Sequence, residues 1–198
     1  MQEKIKTLDN KIWDKQELLD NMYDDDFYYG YLGKQALSSS SLKMVLKSPK
    51  TYKYVTKYGQ AETQPLRDGK LFHTLILEPN KIDDFTFVDC KTKAAKEYKL
   101  AVEEKQNVYT TNELRDAERL ADAILKNNEA TAYFMGAEFE IPEIAMIDGI
   151  PFRAKADILR GNQIIDLKTT SESVSELKLK PKDFNFSLYS LKLYTSPL

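Results

Sequence analysis

The sequence predicts an α+β domain in which a strand-rich segment follows a mainly helical one. Three observations predict it. Hydrophobic spacing is helical through most of residues 42–135 and becomes strand-like from Ala137. Two turns, Asp148-Gly149 and Gly161-Asn162, sit between runs of strand-forming residues and read as two-residue β-hairpins. At 198 residues the chain is long enough for one well-filled core with a helical appendage.

Composition removes several function classes. With 29 basic and 31 acidic residues, no global basic excess advertises nucleic-acid binding, so any such surface must be local. The single cysteine, Cys90, excludes an internal disulfide framework and a four-cysteine metal site. No apolar run reaches membrane-spanning length, and the N-terminus MQEKIKTLDNK has no signal-peptide core. The expectation is a soluble, cytoplasmic protein with no membrane partner.

Residues 1–33 read as an N-terminal arm, with a short helix around 12–22 and then an acidic-aromatic run, Asp24 to Tyr31. The Asp triplet is expected to be solvated rather than to hold a cation. The charge reverses from residue 34. Lys34, Lys43, Lys47, Lys50, Lys53, Lys57, Arg67 and Lys70 face two acids, Glu62 and Asp68. Tyrosines 52, 54 and 58 interleave them, which suits a phosphate-contacting surface; a solvated lysine-rich helix pair is the competing reading. Ser38–Ser41 offer N-caps, and Ser48-Pro49 ends one helix and opens the next.

Leu71, Phe72, Leu75, Ile76 and Leu77 describe a buried helix stopped by Pro79. His73, the chain's one histidine, lies on it. By composition alone it is more simply a core residue than a ligand. A short strand at 85–88, a helix near 93–105 and a helix opened by the capping box Thr110-Thr-Asn-Glu113 follow.

The hairpins concentrate the chemistry. If only Gly161 and Asn162 form the loop, Arg160 faces Gln163, Asp157 faces Asp166 and Lys155 faces Lys168. Asp157, Asp166 and Lys168 then share one sheet face. Opposed carboxylates repel, a fold tolerates them when a cation lies between, and hard oxygen ligands suit Mg²⁺. Lys168 would stand beside that ion, placed to steady a nucleophilic water or developing charge. Pairing Ile147 with Ile150 across the other turn puts Glu140 opposite Asp157. Glu138 shares that face, while Glu143 reaches it only if a bulge intervenes. The competing reading is an exposed charged sheet face.

Laid out in this order, the residues resemble the PD-(D/E)XK nucleases. More narrowly, they resemble phage and prophage exonucleases of the exonuclease VIII type, relatives of lambda exonuclease and the RecB nuclease domain. The resemblance rests on Leu37-Ser-Ser-Ser-Ser-Leu42, Ser48-Pro49-x-x-Tyr52, Gly69-x-x-x-His73, Leu77-Glu78-Pro79, Lys155-Ala-Asp157 and Ile165-Asp166-Leu-Lys168-Thr169-Thr170. It implies a restriction-endonuclease-like α/β core over 34–198, a central mixed β-sheet flanked by helices. It implies that His73, Asp157, Asp166 and the Leu167 carbonyl hold Mg²⁺, with Mn²⁺ as a substitute. It makes Lys168 the catalytic lysine; for the family's earlier glutamate the strand register favours Glu140, with Glu143 and Glu138 as rivals. Ser41, Lys43, Lys47, Lys50, Tyr52, Lys53 and Lys57 are the expected DNA contacts.

The implied activity is degradation of double-stranded DNA from its ends, 5′ to 3′, in phage recombination or DNA processing, in the host cytoplasm if the gene is a phage's. A single-strand annealing protein and further copies of the chain are the implied partners. A non-catalytic DNA-binding platform and an endonuclease of the same fold are the alternatives. The family's long helix after the Asp-x-Lys strand carries a Tyr…Gln…Tyr pattern. Here Tyr189 and Tyr194 flank Lys192, which reads as a truncated or divergent C-terminal helix.

Overall fold

A short polar residue opens most of the long helices. The computed structural model describes residues 3–169; Thr170 and the tail carrying Tyr189, Lys192 and Tyr194 lie outside them. Two units emerge, one made of 3–61 and 141–156, the other of 62–140 and 157–169. The structure is a mixed α/β fold in which helices predominate and the strands form small sheets.

In the first unit β1 (Lys4–Lys6) pairs antiparallel with β2 (Ile12–Asp14). β2 is a strand where the sequence suggested the start of a helix, and three residues are too few to show a period. The helix α1 (Lys15–Asn21) starts where the Asp14 carboxylate accepts the Gln16 and Glu17 amides. A π-helical turn (Asp26–Tyr31) and α2 (Leu32–Gln35) follow. Ile5, Trp13, Leu18, Met22, Tyr28, Leu32 and Ala36 form a core with Ile144.

α3 (Ser39–Lys47) begins in a capping box between Ser38 and Ser41, and α4 (Pro49–Tyr58) begins where the Ser48 hydroxyl accepts the Thr51 amide. Ser48 is both the last cap of one helix and the first of the next, as Ser-Pro predicts.

The second unit opens with α5 (Gln64–Leu77), started by Pro65 and stopped before Pro79. β3 (Thr86–Val88) pairs parallel with β4 (Val108–Thr110) across α6 (Lys96–Glu104). The Thr110–Glu113 capping box opens α7 (Thr111–Leu125), and Asn127 caps the short α8 (Asn128–Ala132). Phe72, Leu77, Ala121, Ile158 and Leu167 form one core cluster of this unit, Leu71, Tyr109 and Ala117 another.

A three-stranded sheet runs in the order β5 (Glu138–Ile147), β6 (Ile150–Arg160), β7 (Gln163–Ile165). Asp148 and Gly149 take φ of +50° and +76°, the type I′ signature. Gly161 alone is positive in the next turn, at +58°, as type II′ requires. The register matches the reading from sequence: Arg160 faces Gln163 and Ile158 faces Ile165.

Candidate metal centre

One face of α5 carries both residues of the Gly-x-x-x-His pattern, since 69 and 73 are a turn apart. A Cβ added at Gly69 would lie 3.8 Å from Thr169 Oγ1, so the helix backbone passes close to the segment that leaves β7. His73 Nε2 reaches the Leu167 carbonyl oxygen at 2.7 Å. A carbonyl only accepts, so Nε2 carries a proton, which leaves Nδ1 as the nitrogen that can offer a lone pair to a cation. Nδ1 faces Asp157 Oδ2 at 3.9 Å, beyond hydrogen-bonding distance.

Asp157 lies on β6 where the regular ladder to β7 stops. Its Oδ2 accepts the Leu167 amide at 2.7 Å, so a side chain takes over where backbone pairing ends. This one bond fixes both the carboxylate and the main chain that presents the Leu167 carbonyl. The side chain is 15% exposed. Burial pushes its carboxyl above the ordinary range; His73, the Leu167 amide and Lys168 oppose that, and the charge of Asp166 adds to it.

Glu140 takes φ +53° within β5. A left-handed residue interrupts strand alternation as a bulge does, and a glutamate there carries local strain. His73, Glu140 and Asp157 each offer a ligand atom within 4.8 Å of the others. The rival glutamates lie elsewhere. Glu138 is exposed, and Glu143, in the first unit, accepts the Ile144 amide and pairs with Lys15 at 3.1 Å. Asp166 lies outside the three-residue cluster; its Oδ1 accepts from Lys168 Nζ at 2.7 Å. Lys168 is 73% exposed. The strand expected to run through Asp166 and Lys168 ends at Ile165.

The expected DNA contacts lie on α3 and α4 of the first unit. Lys43, Lys47, Lys50, Lys53 and Lys57 are exposed and Tyr52 is half-buried. The Ser41 hydroxyl accepts the Ser38 amide at 2.6 Å. Arg67, counted from sequence among the surface cations, corrects that count. Its side chain is 14% exposed and binds Glu113, Glu62, Tyr98 and the Val108 carbonyl in the second unit.

Sequence reasoning gave no role to Arg153, and none to Lys155 beyond its place in the Lys-Ala-Asp pattern. Both lie in the first unit. The Arg153 guanidinium stacks 4.3 Å from the Tyr28 ring, and Lys155 pairs with Asp25 at 3.1 Å. Asp25 is therefore not simply part of a solvated charge run. The available signal was a Lys and an Arg two apart on a strand in a chain with an early Tyr-Tyr pair.

The donor set suits a divalent ion. Two carboxylates and an imidazole lone pair converge, and one carboxylate is buried enough to raise its pKa, a charge that a cation would compensate. Among the described residues no helix is long and apolar enough to cross a membrane. A family model described as "PDDEXK-like domain of unknown function (DUF3799)" matches residues 38–186, a span that includes every residue of this centre. No curated protein and no solved structure matches the chain.

Proposed function

Since the chain belongs to the PDDEXK-like domain family, we propose that it is a divalent-metal-dependent deoxyribonuclease. In its finer form the reading is an exonuclease of the exonuclease VIII type, acting on double-stranded DNA ends in recombination or DNA processing. The observation that carries it is the convergence of His73, Glu140 and Asp157 within 4.8 Å, with the Asp166–Lys168 pair on the segment that binds Asp157 and His73.

His73 Nδ1, Glu140, Asp157, Asp166 and the Leu167 carbonyl are the groups that would hold Mg²⁺ or Mn²⁺. When bound, such an ion supplies Lewis acidity at a phosphate and lowers the pKa of water. The Leu167 amide holds Asp157 in place, so the carboxylate needs no reorganisation. Lys168, exposed and joined to Asp166, can swing its ammonium to the phosphate oxygen or the attacking water and neutralise charge as it develops. The lysines of α3 and α4, with Tyr52 and Ser41, contact phosphates and position the substrate without reading sequence. A single-strand annealing protein and further copies of the chain are the partners that fit this reading.

The test uses linear and closed circular duplex with Mg²⁺ or Mn²⁺. Nucleotide release is expected from linear DNA alone, abolished by EDTA. Lys168→Ala and Asp166→Ala should each lower the rate by about a hundredfold or more. Equal rates for wild type and variants would discard the assignment, and cleavage of the circle would select an endonuclease.

Glu140→Gly separates chemistry from folding. Glycine accepts φ +53° without strain. The variant is expected to lose cleavage by about a hundredfold while its melting temperature stays at or above that of wild type. Parallel rate and thermal-melt measurements check this.

A further inference from the structure

A cleft of about 490 Å³ opens in the first unit, lined by residues of α2, α3 and α4 together with Tyr29 and Gly59. Its volume is that of a pocket enclosing a small organic group. Among the described residues its walls carry no carboxylate, although the chain has 31 acids, and residues 34–61 contain six lysines and no Asp or Glu. Lys34 and Lys57 stand on the walls beside the hydroxyls of Ser38 and Ser40. An acid-free wall with cations and hydroxyls complements an anion.

The aromatics add a second requirement. Tyr29 and Tyr58 line the cleft and are each 63% exposed; Tyr54, 62% exposed, lies 4.8 Å from Tyr58 with its ring tilted 45° to it. Lys57 Nζ lies 4.8 Å from the Tyr58 ring. Behind Tyr29, Tyr28 meets it edge to face at 4.9 Å and carries the Arg153 guanidinium on its ring. Arg153 also comes up under the cleft wall, since a Cβ at Gly33 would lie 3.6 Å from Nη2. Its Nε is the buried side-chain polar atom that lacks a partner among the described residues. Largely exposed rings beside cations suit a ligand that alternates π-faces with negative charge.

We propose that this cleft binds single-stranded DNA, with unpaired bases stacked on Tyr29 and Tyr58 and the intervening phosphates on Lys34 and Lys57. A duplex can reach the lysines of this surface but not its rings, because its bases are already stacked on each other and offer no free face. The choice of DNA over RNA rests on the deoxyribonuclease reading. The binding itself needs no metal, so the two can fail separately.

The experiment measures fluorescence anisotropy of a labelled oligo-dT and of a blunt duplex of equal length, with the full chain in EDTA at about 0.1 M salt. The expected result is oligo-dT bound at least about tenfold more tightly than the duplex. Tyr58→Ala and Tyr29→Ala should each weaken it by about tenfold, with Tyr58→Phe retaining wild-type affinity. Circular dichroism of the same samples checks that the variants fold. Lys57→Ala should lower the slope of log affinity against log salt by about 0.7. Duplex bound as tightly as oligo-dT, oligo-rU bound more tightly than oligo-dT, or alanine variants that fold and bind like wild type would each overturn the proposal. Wild-type protein that binds oligo-dT in EDTA yet never cleaves in Mg²⁺ or Mn²⁺ would sink the nuclease reading and leave the cleft standing.

Discussion

Replacing Asp157 with asparagine is expected to lower metal-dependent cleavage by about a thousandfold or more while leaving the protein at least as stable at neutral pH. The two effects share one cause. Asp157 is held by the Leu167 amide at 2.7 Å and faces His73 Nδ1 at 3.9 Å, so its charge sits among the groups that would bind the ion. An asparagine oxygen can keep the amide bond, but it brings no charge. For folding, that charge is a liability. Burial is the largest influence on the Asp157 carboxyl and pushes its pKa up; His73, the Leu167 amide and Lys168 pull down, and Asp166 pushes up again.

A native pKa above the unfolded one means that the folded state holds the proton more tightly. The group's contribution to stability is therefore full below about pH 3.9, the unfolded value, and is lost as pH rises through the native pKa. The asparagine variant should melt at or above wild type at pH 7, and the gap should close below about pH 4. Added Mg²⁺ or Mn²⁺ should raise the melting temperature of wild type and not that of the variant; about 2.7 kcal/mol is expected at a hundred times the dissociation constant. Thermal melts at several pH values and nucleotide release decide it. A variant that cleaves normally, or that melts below wild type at pH 7 in the absence of metal, would refute the role given to this carboxylate.

What could be read in the sequence was what is decided locally. Asp148-Gly149 and Gly161-Asn162 each specify a turn by backbone conformation, and each turn then sets a register by counting. That is how Asp157 and the Asp166–Lys168 segment came to be placed together before any fold was known. Ser48-Pro49 and Thr110-x-x-Glu113 are equally local, and both act as caps in the structure.

What could not be read depends on distant partners. β1, β2 and β4 have three residues each, and β3 finds its parallel partner only beyond a helix. Arg67 looks like any surface cation until Glu113, 46 residues on, is beside it. The φ of +53° at Glu140 has no signature in a Glu-Ile-Pro sequence, where a glycine would have announced it. His73 is the instructive middle case. Composition favoured a core histidine and the Gly-x-x-x-His pattern a ligand. In the structure it is half-buried, one nitrogen committed to the main chain and the other facing a carboxylate.

Glu113→Ala is expected to cost about 3 kcal/mol of stability, close to a 10 °C fall in melting temperature for a chain of this size. Each carboxylate oxygen has a separate task. Oε2 accepts the Thr110 amide at 2.8 Å and its hydroxyl at 3.1 Å, closing the capping box of α7. Oε1 accepts from Arg67 Nε at 3.3 Å, Lys93 Nζ at 2.8 Å and Gln64 Nε2 at 2.9 Å. Arg67 is then fixed over the Tyr109 ring at 4.0 Å with Nη2 on the Val108 carbonyl at 2.7 Å. Removing Glu113 leaves that enclosed guanidinium without its main counter-charge, the costly way to break such a pair.

The acid branch follows from the same bonds. Burial alone would raise the Glu113 carboxyl; the bonds from Lys93, Thr110 and Gln64 and the charge of Arg67 outweigh it and hold it at about 2. A depressed pKa contributes stability above the unfolded value of about 4.3, lost as pH falls through 2. Wild type should weaken over that window. Glu113→Gln, which keeps acceptors but no charge, should start lower at pH 7 and show a flatter profile there. Arg67 and His73 lie on the same helix, α5, so loosening the network should also lower cleavage in step with the melting temperature. If Glu113→Ala melts within a degree of wild type, or loses activity without losing stability, α5 is not held by this network and His73 owes its position to the hydrophobic packing of Phe72 and Leu77 alone.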